Sequence, residues 1–124
     1  MNADTLNTLT PGEVAGRSMS AFLASEQMRT ASNTRRAEWV RQEKKRAKLL
    51  ADSTLWVAGM STALEVLAAG GAEVRVVSDE VKKVAGMILG AAGLTTTGST
   101  SYDMTIEGAG AAPVHTLALY GVSK

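Results

Sequence analysis

The chain has no cysteine, so neither a disulfide framework nor a thiolate zinc site is open to it, and its redox compartment leaves no mark in the sequence. Histidine occurs once, as His115, and no serine or threonine plus carboxylate is paired with it in any recognisable order. In the alternation of its own segment His115 points with Leu117 and Leu119, which suits a structural or interface residue. Asp103 and Glu107 have no metal-ligand spacing. Gly108 and Gly110 precede no helix and have no adjacent lysine, and Thr97-Gly98-Ser99-Thr100 also lacks that lysine, so no phosphate loop is expected. The sequence therefore predicts no catalytic residue, no metal, no cofactor and no small-molecule substrate.

Aromatic residues are scarce: Phe22, Trp39, Trp56, Tyr102 and Tyr120 are all there are, against 12 glycines. Packing must then rely on small side chains and close backbone approach. No apolar run is long enough to span a bilayer, which takes about 20 residues. The most apolar stretch, Leu55 to Ala69, is shorter and contains Glu65, so a buried helix is expected there and no membrane span. Met1 to Leu9 shows no basic region followed by an apolar run, so a polar tail over residues 1–9 is expected in place of a secretory signal.

Proline is absent between Glu13 and Leu50, and this gap allows the most conspicuous element of the chain. Thr10-Pro11-Gly12-Glu13 is a helix start, with Thr10 as cap, Pro11 at the first helical position and Glu13 placed for a capping box. The periodicity then predicts one helical arm over residues 10–51, about 40 residues or roughly 60 Å of rod. Ala15, Met19 and Phe22 share one face, and Trp39, Val40, Ala47 and Leu50 share a neighbouring arc. A rod of that length exceeds what a small body can cover, so Phe22, Trp39, Val40, Ala47 and Leu50 are expected to form an interface between copies.

The chain is nearly neutral, with 13 basic and 12 acidic residues, yet the arm sorts its charge. Arg41, Lys44, Lys45 and Lys48 follow i, i+3, i+4, i+7 spacing and make a basic stripe. With Arg35 and Arg36 they are candidates for contact with phosphate or with an acidic partner.

Residues 52–124 predict a small α+β body. Asp52 or Ser53 caps a helix that Gly70-Gly71 ends, and Trp56 and Leu64 are expected in its core. Ala72 to Val77 reads as a strand, and Ser78-Asp79-Glu80 starts a helix whose buried stripe is Val81, Val84, Ala85 and Ile88. Thr95 to Ser101 reads as a polar loop, Tyr102 to Glu107 as an alternating strand, and Val114 to Val122 as a final strand reached through a glycine-rich hairpin tip. The fold class is α+β: a long N-terminal helix, a buried second helix, then strand, helix, strand, strand.

The Gln-, Arg-, Lys- and Ala-rich helix Ser25 to Leu50, followed by the small-residue segment Leu55 to Gly71, resembles in style the small virion components of tailed bacteriophages, such as internal, connector or tail-assembly proteins. That resemblance implies a multimeric structural protein of the virion, packed chain to chain with other assembly proteins and in possible contact with nucleic acid. It implies no functional residues. The competing expectation is a nucleic-acid-binding or regulatory module that uses the basic helix 35–48.

Overall fold

A computed structural model describes residues 3–103 and 112–121, with backbone alone for 102, 103 and 112. It is α+β. The helices are α1 (Ala3–Asn7), α2 (Pro11–Ala24), α3 (Glu26–Thr30), α4 (Asn33–Lys48), α5 (Ser53–Ala69) and α6 (Asp79–Ala91), with a 3-10 turn at Leu49–Ala51. The strands are β1 (Val74–Val76), β2 (Thr96–Asp103) and β3 (Ala112–Leu119), joined in one antiparallel sheet of order β1-β3-β2.

The helix starts follow the capping residues. The Thr10 hydroxyl accepts the Glu13 N–H at 3.2 Å and donates to the Glu13 carboxylate at 3.0 Å. Asp52 caps α5 by accepting the Leu55 N–H at 3.1 Å, and Ser78 caps α6 by accepting the Val81 N–H at 3.2 Å. Gly70 ends α5 with φ 58°, in the left-handed region that glycine enters without a Cβ penalty.

The expected 60 Å rod is broken twice. Ser25 (ψ 148°) and the Ala31–Ser32 pair (ψ 152° and 159°) are extended, and Ser25 and Ser32 each cap the helix that follows them. Their hydroxyls accept the Met28 and Arg35 N–H groups, both at 3.3 Å. Serine offers the backbone such a local partner in place of helix continuation. Because of these breaks α4 folds back beside α2. Ser18 Oγ of α2 donates to Glu43 Oε1 of α4 at 2.8 Å, and Phe22, Gln27, Trp39 and Gln42 line one small cleft between them.

Ser32→Ala therefore removes a cap and is expected to lower stability by about 1 kcal/mol in urea denaturation. In an uninterrupted helix the same change would raise stability by a few tenths of a kcal/mol, because alanine is the better helix former. The sign alone decides between the two geometries.

The core lies where α6 meets α5, α2 and the sheet. Val81, Val84, Ala85, Met87, Ile88 and Leu89 of α6 are all buried, which adds Met87 and Leu89 to the stripe expected from periodicity. The α5 helix joins the core along one side, through Gly59, Ala63 and Val66. Trp56 and Leu64 pack against that core but are only half-buried, and Val57 is 67% exposed. An apolar circumference thus gave α5 one buried side and an apolar, half-covered flank.

The N-terminal segment is not a polar tail. Leu6 is 0% and Leu9 8% exposed, and both belong to the core, with α1 laid against α5. The region expected as a polar loop is also ordered differently, since Thr96 to Ser101 lie in β2 and pair with β3 from Thr96↔Leu119 to Asp103↔Ala112. Threonine is β-branched and fits a pleated surface, and this outweighed the polar composition on which the loop expectation stood. Met104, Ile106 and Glu107 of the expected alternating strand, and Gly108 to Ala111 of the expected hairpin tip, fall outside the described residues.

Candidate functional site

The basic residues of α4 divide once the helix is placed. Arg36, a candidate for phosphate or acidic-partner contact, is engaged inside the chain: its Nε donates to Met28 O and its Nη2 to Arg29 O, both at 2.7 Å, closing the end of α3. Arg41, Lys44, Lys45 and Lys48 are exposed, and Arg41 pairs with Glu38 on its own helix. The side chains of Lys44, Lys45, Lys48 and the exposed Arg35 make no hydrogen bond or ion pair with a described residue. A solvated cationic face of this kind can meet phosphate or carboxylate without first breaking an internal contact.

The five residues expected between copies are largely occupied inside the chain. Leu50 is 2% exposed in the core and Ala47 packs against it. Phe22 and Trp39 both line the cleft between α2 and α4 and, like Val40, are half-buried. The seam also encloses Glu43, 7% exposed, which accepts from Ser18 and from Arg46 Nη2 at 2.9 Å. Two charge-assisted contacts offset part of the cost of burying that carboxylate.

Sequence spacing could not reveal a second cationic feature, because four segments contribute to it. A cleft of about 530 Å³ opens between α2, the end of α4, α6 and the sheet, with Arg17, Arg46, Lys82 and Lys83 in its lining and no described carboxylate among the lining residues. Each cation is held from behind. Arg17 Nη1 donates to Ala91 O at 3.0 Å, Lys82 Nζ to Thr100 Oγ1 at 2.8 Å, and Lys83 Nζ lies 3.0 Å from Asp79 Oδ2. The Lys83 ammonium, with Lys82 beside it, holds the Asp79 carboxyl below its ordinary pKa against the opposing effect of burial. A depressed folded-state pKa stabilises the protein above the usual aspartate range, and this contribution is lost as pH falls through the folded value.

His115 sits at the far end of the same polar chain, with Nδ1 3.0 Å from Thr100 Oγ1. The same hydroxyl accepts from Lys82 Nζ at 2.8 Å, so the three side chains form one polar chain. Among the described residues no carboxylate orients the imidazole, and the arrangement lacks the base-orienting group of a hydrolytic triad. The described residues contain no group of three or more His, Asp or Glu side chains able to hold a metal ion, and no described helix is long and apolar enough to cross a membrane.

One further feature is backbone alone. Strand β2 is an edge of the sheet, and Tyr120 N–H donates to Thr95 O at 2.9 Å. Antiparallel alternation then turns the backbone groups of Thr96, Gly98 and Thr100 away from β3. On the outer sheet face, Ser99 and Thr116 share a hydrogen bond of 2.6 Å, and Thr97 and Ser101 are exposed without side-chain partners. No protein-family model, curated protein or solved structure matches this chain.

Proposed function

We propose that this chain is a non-enzymatic structural or assembly protein that works as a subunit of a homomultimer, in the manner of the virion components it resembles, and that β2 is where one copy meets the next. The observation that carries this reading is the unguarded edge. Monomeric proteins protect edge strands with short length, lysine, proline or bulges. The opposite edge, β1, has three residues and an outward Arg75. By contrast β2 has eight residues, no charge from Thr96 to Tyr102, no proline and an uninterrupted register.

Two β2 strands fit each other antiparallel about a two-fold axis through Ser99. Gly98 then meets Thr100 of the second copy, and both turn free backbone groups to the edge. In that register residue 97 of one copy lies opposite residue 101 of the other. A strand pair by itself covers less than a standard interface of about 1,600 Å², so assembly is expected to depend on concentration. The exposed cationic face of α4 would remain outside this contact, available to an acidic neighbour.

Thr97→Lys with Ser101→Lys places like charges opposite each other and is expected to reduce the assembled fraction severalfold in light scattering, with the circular dichroism spectrum unchanged. Thr97→Glu with Ser101→Lys restores opposite charges across the axis and is expected to recover assembly. Equal assembly in both variants would refute the β2 contact. A chain that stays monomeric yet is retained on duplex DNA, with retention falling steeply in salt, would favour a nucleic-acid-binding module that uses Arg35, Arg41, Lys44, Lys45 and Lys48.

A further inference from the structure

Within the cationic cleft, the side chains fall into two groups. Arg17, Arg46, Lys82 and Lys83 come from α2, α4 and α6, while Phe22, Met87 and Leu117 supply apolar lining beside them. Gly86, Gly90 and Gly98 also line the cleft. A Cβ at Gly90 would meet nothing within 4 Å and one at Gly86 only Thr96 Oγ1 at 3.9 Å, whereas one at Gly98 would touch Leu117 and Lys82 at 3.4 Å, so the cleft is open at Gly86 and Gly90. The volume of about 530 Å³ falls within the roughly 300–1,000 Å³ of small-ligand pockets.

The cations are oriented but not exhausted. An arginine has five N–H donors and a lysine three. Arg17 gives one nitrogen to Ala91 O and approaches Glu13 only at 3.8 Å. Lys82 directs Nζ to Thr100 Oγ1, with Ser99 O and Asp79 Oδ1 each at 3.5 Å. Arg46 uses Nη2 for Glu43 and Ser18, which leaves its other donors unengaged. The carboxylates that hold these groups, Glu13, Glu43 and Asp79, are absent from the lining. Donors fixed from behind in this way lose little freedom on meeting an anion, which is the preorganisation that favours binding.

We propose that this cleft binds a small ligand bearing a phosphate group, with the phosphate between the Arg17 and Lys82–Lys83 side chains and the ligand body against Phe22 and Met87. Arginine presents paired donors that match phosphate oxygens, and lysine adds compact charge. A concave site suits a terminal phosphate better than a duplex backbone, whose phosphates lie along a convex cylinder. This site is separate from the β2 edge, and its presence does not depend on assembly.

The test is calorimetric titration of the full chain with inorganic pyrophosphate at low salt, repeated with a short DNA duplex. Pyrophosphate is expected to bind saturably at one site per chain. Lys83→Gln, which removes an exposed side chain whose only partner is Asp79, is expected to weaken binding severalfold, and Arg17→Gln with Lys83→Gln at least tenfold. Lys44→Gln with Lys48→Gln, on the outer face of α4, is expected to leave pyrophosphate affinity unchanged. Circular dichroism on each variant confirms that the fold is intact. Absence of saturation at millimolar pyrophosphate would overturn the proposal. So would equal weakening by the α4 changes, or duplex binding that pyrophosphate does not displace but that Arg17→Gln with Lys83→Gln abolishes.

Discussion

Leu6→Ala is expected to lower the unfolding free energy by about 2–5 kcal/mol, the range for truncating a fully buried leucine, although it lies only six residues from the start of the sequence. Leu6 is 0% exposed and belongs to the same apolar cluster as Val14, Leu50, Val66 and Ile88. Its helix, Ala3–Asn7, is too short to form alone, so packing against α5 must hold it in place. Removal of the leucine side chain leaves a void under that helix and also withdraws the contact that keeps the segment docked. Urea denaturation followed by tryptophan fluorescence checks it, and a change below about 0.5 kcal/mol would return residues 1–9 to the status of a polar tail. Asp4→Ala, at an exposed position of the same helix, is the matching control and should fall within about 0.5 kcal/mol of the parent.

Gly59→Ala is expected to cost about 1–3 kcal/mol, in the direction opposite to the usual gain from replacing a helical glycine. A Cβ on Gly59 would stand 2.3 Å from Val84 Cγ1 and 2.9 Å from Val84 Cβ, so α5 and α6 would have to separate. Both residues are buried and α6 also packs against α2 and the sheet, which leaves little room to shift. Val84→Ala alone opens a cavity and should also destabilise. Combining the two removes the Cγ1 clash, so the double variant is expected to be less destabilised than the sum of the singles. Additive losses would show that the helices do not meet at this point.

Much of the fold was legible because its signals are local. Asp52, Ser78 and Gly70 mark helix ends through the chemistry of their own side chains or backbone, and the Val81, Val84, Ala85 and Ile88 spacing marks a buried stripe on α6. The break at Ser25 and Ser32 was also encoded locally, but the surrounding polar residues carry no apolar rhythm whose interruption would reveal it. The burial of Leu6 and Leu9 was not legible, since two leucines in a short polar segment acquire meaning only when α5 offers a surface. Strand β2 was misread for a related reason: a run of threonine and serine is compatible with loop or strand, and β3 as a partner decides between them.

The same contrast governs the candidate sites. The stripe Arg41, Lys44, Lys45 and Lys48 is a property of one helix and could be read from spacing. Arg36, a candidate contact beside that stripe, is engaged elsewhere because folding brought the Met28 and Arg29 carbonyls within reach of its guanidinium. The cleft of Arg17, Arg46, Lys82 and Lys83 spans residues 17 to 117 and had no signature before the chain was folded. The apolar arc of the expected arm, for its part, closes largely on itself, which moves the proposed contact between copies from Trp39 and Val40 to the edge of the sheet.

The central claim is that the chain works as a multimer, and native mass measured over a range of protein concentrations tests it most directly. The expected result is a species at an integral multiple of 12.9 kDa that grows with concentration. A single species of 12.9 kDa at every concentration, up to the limit of solubility, would contradict it.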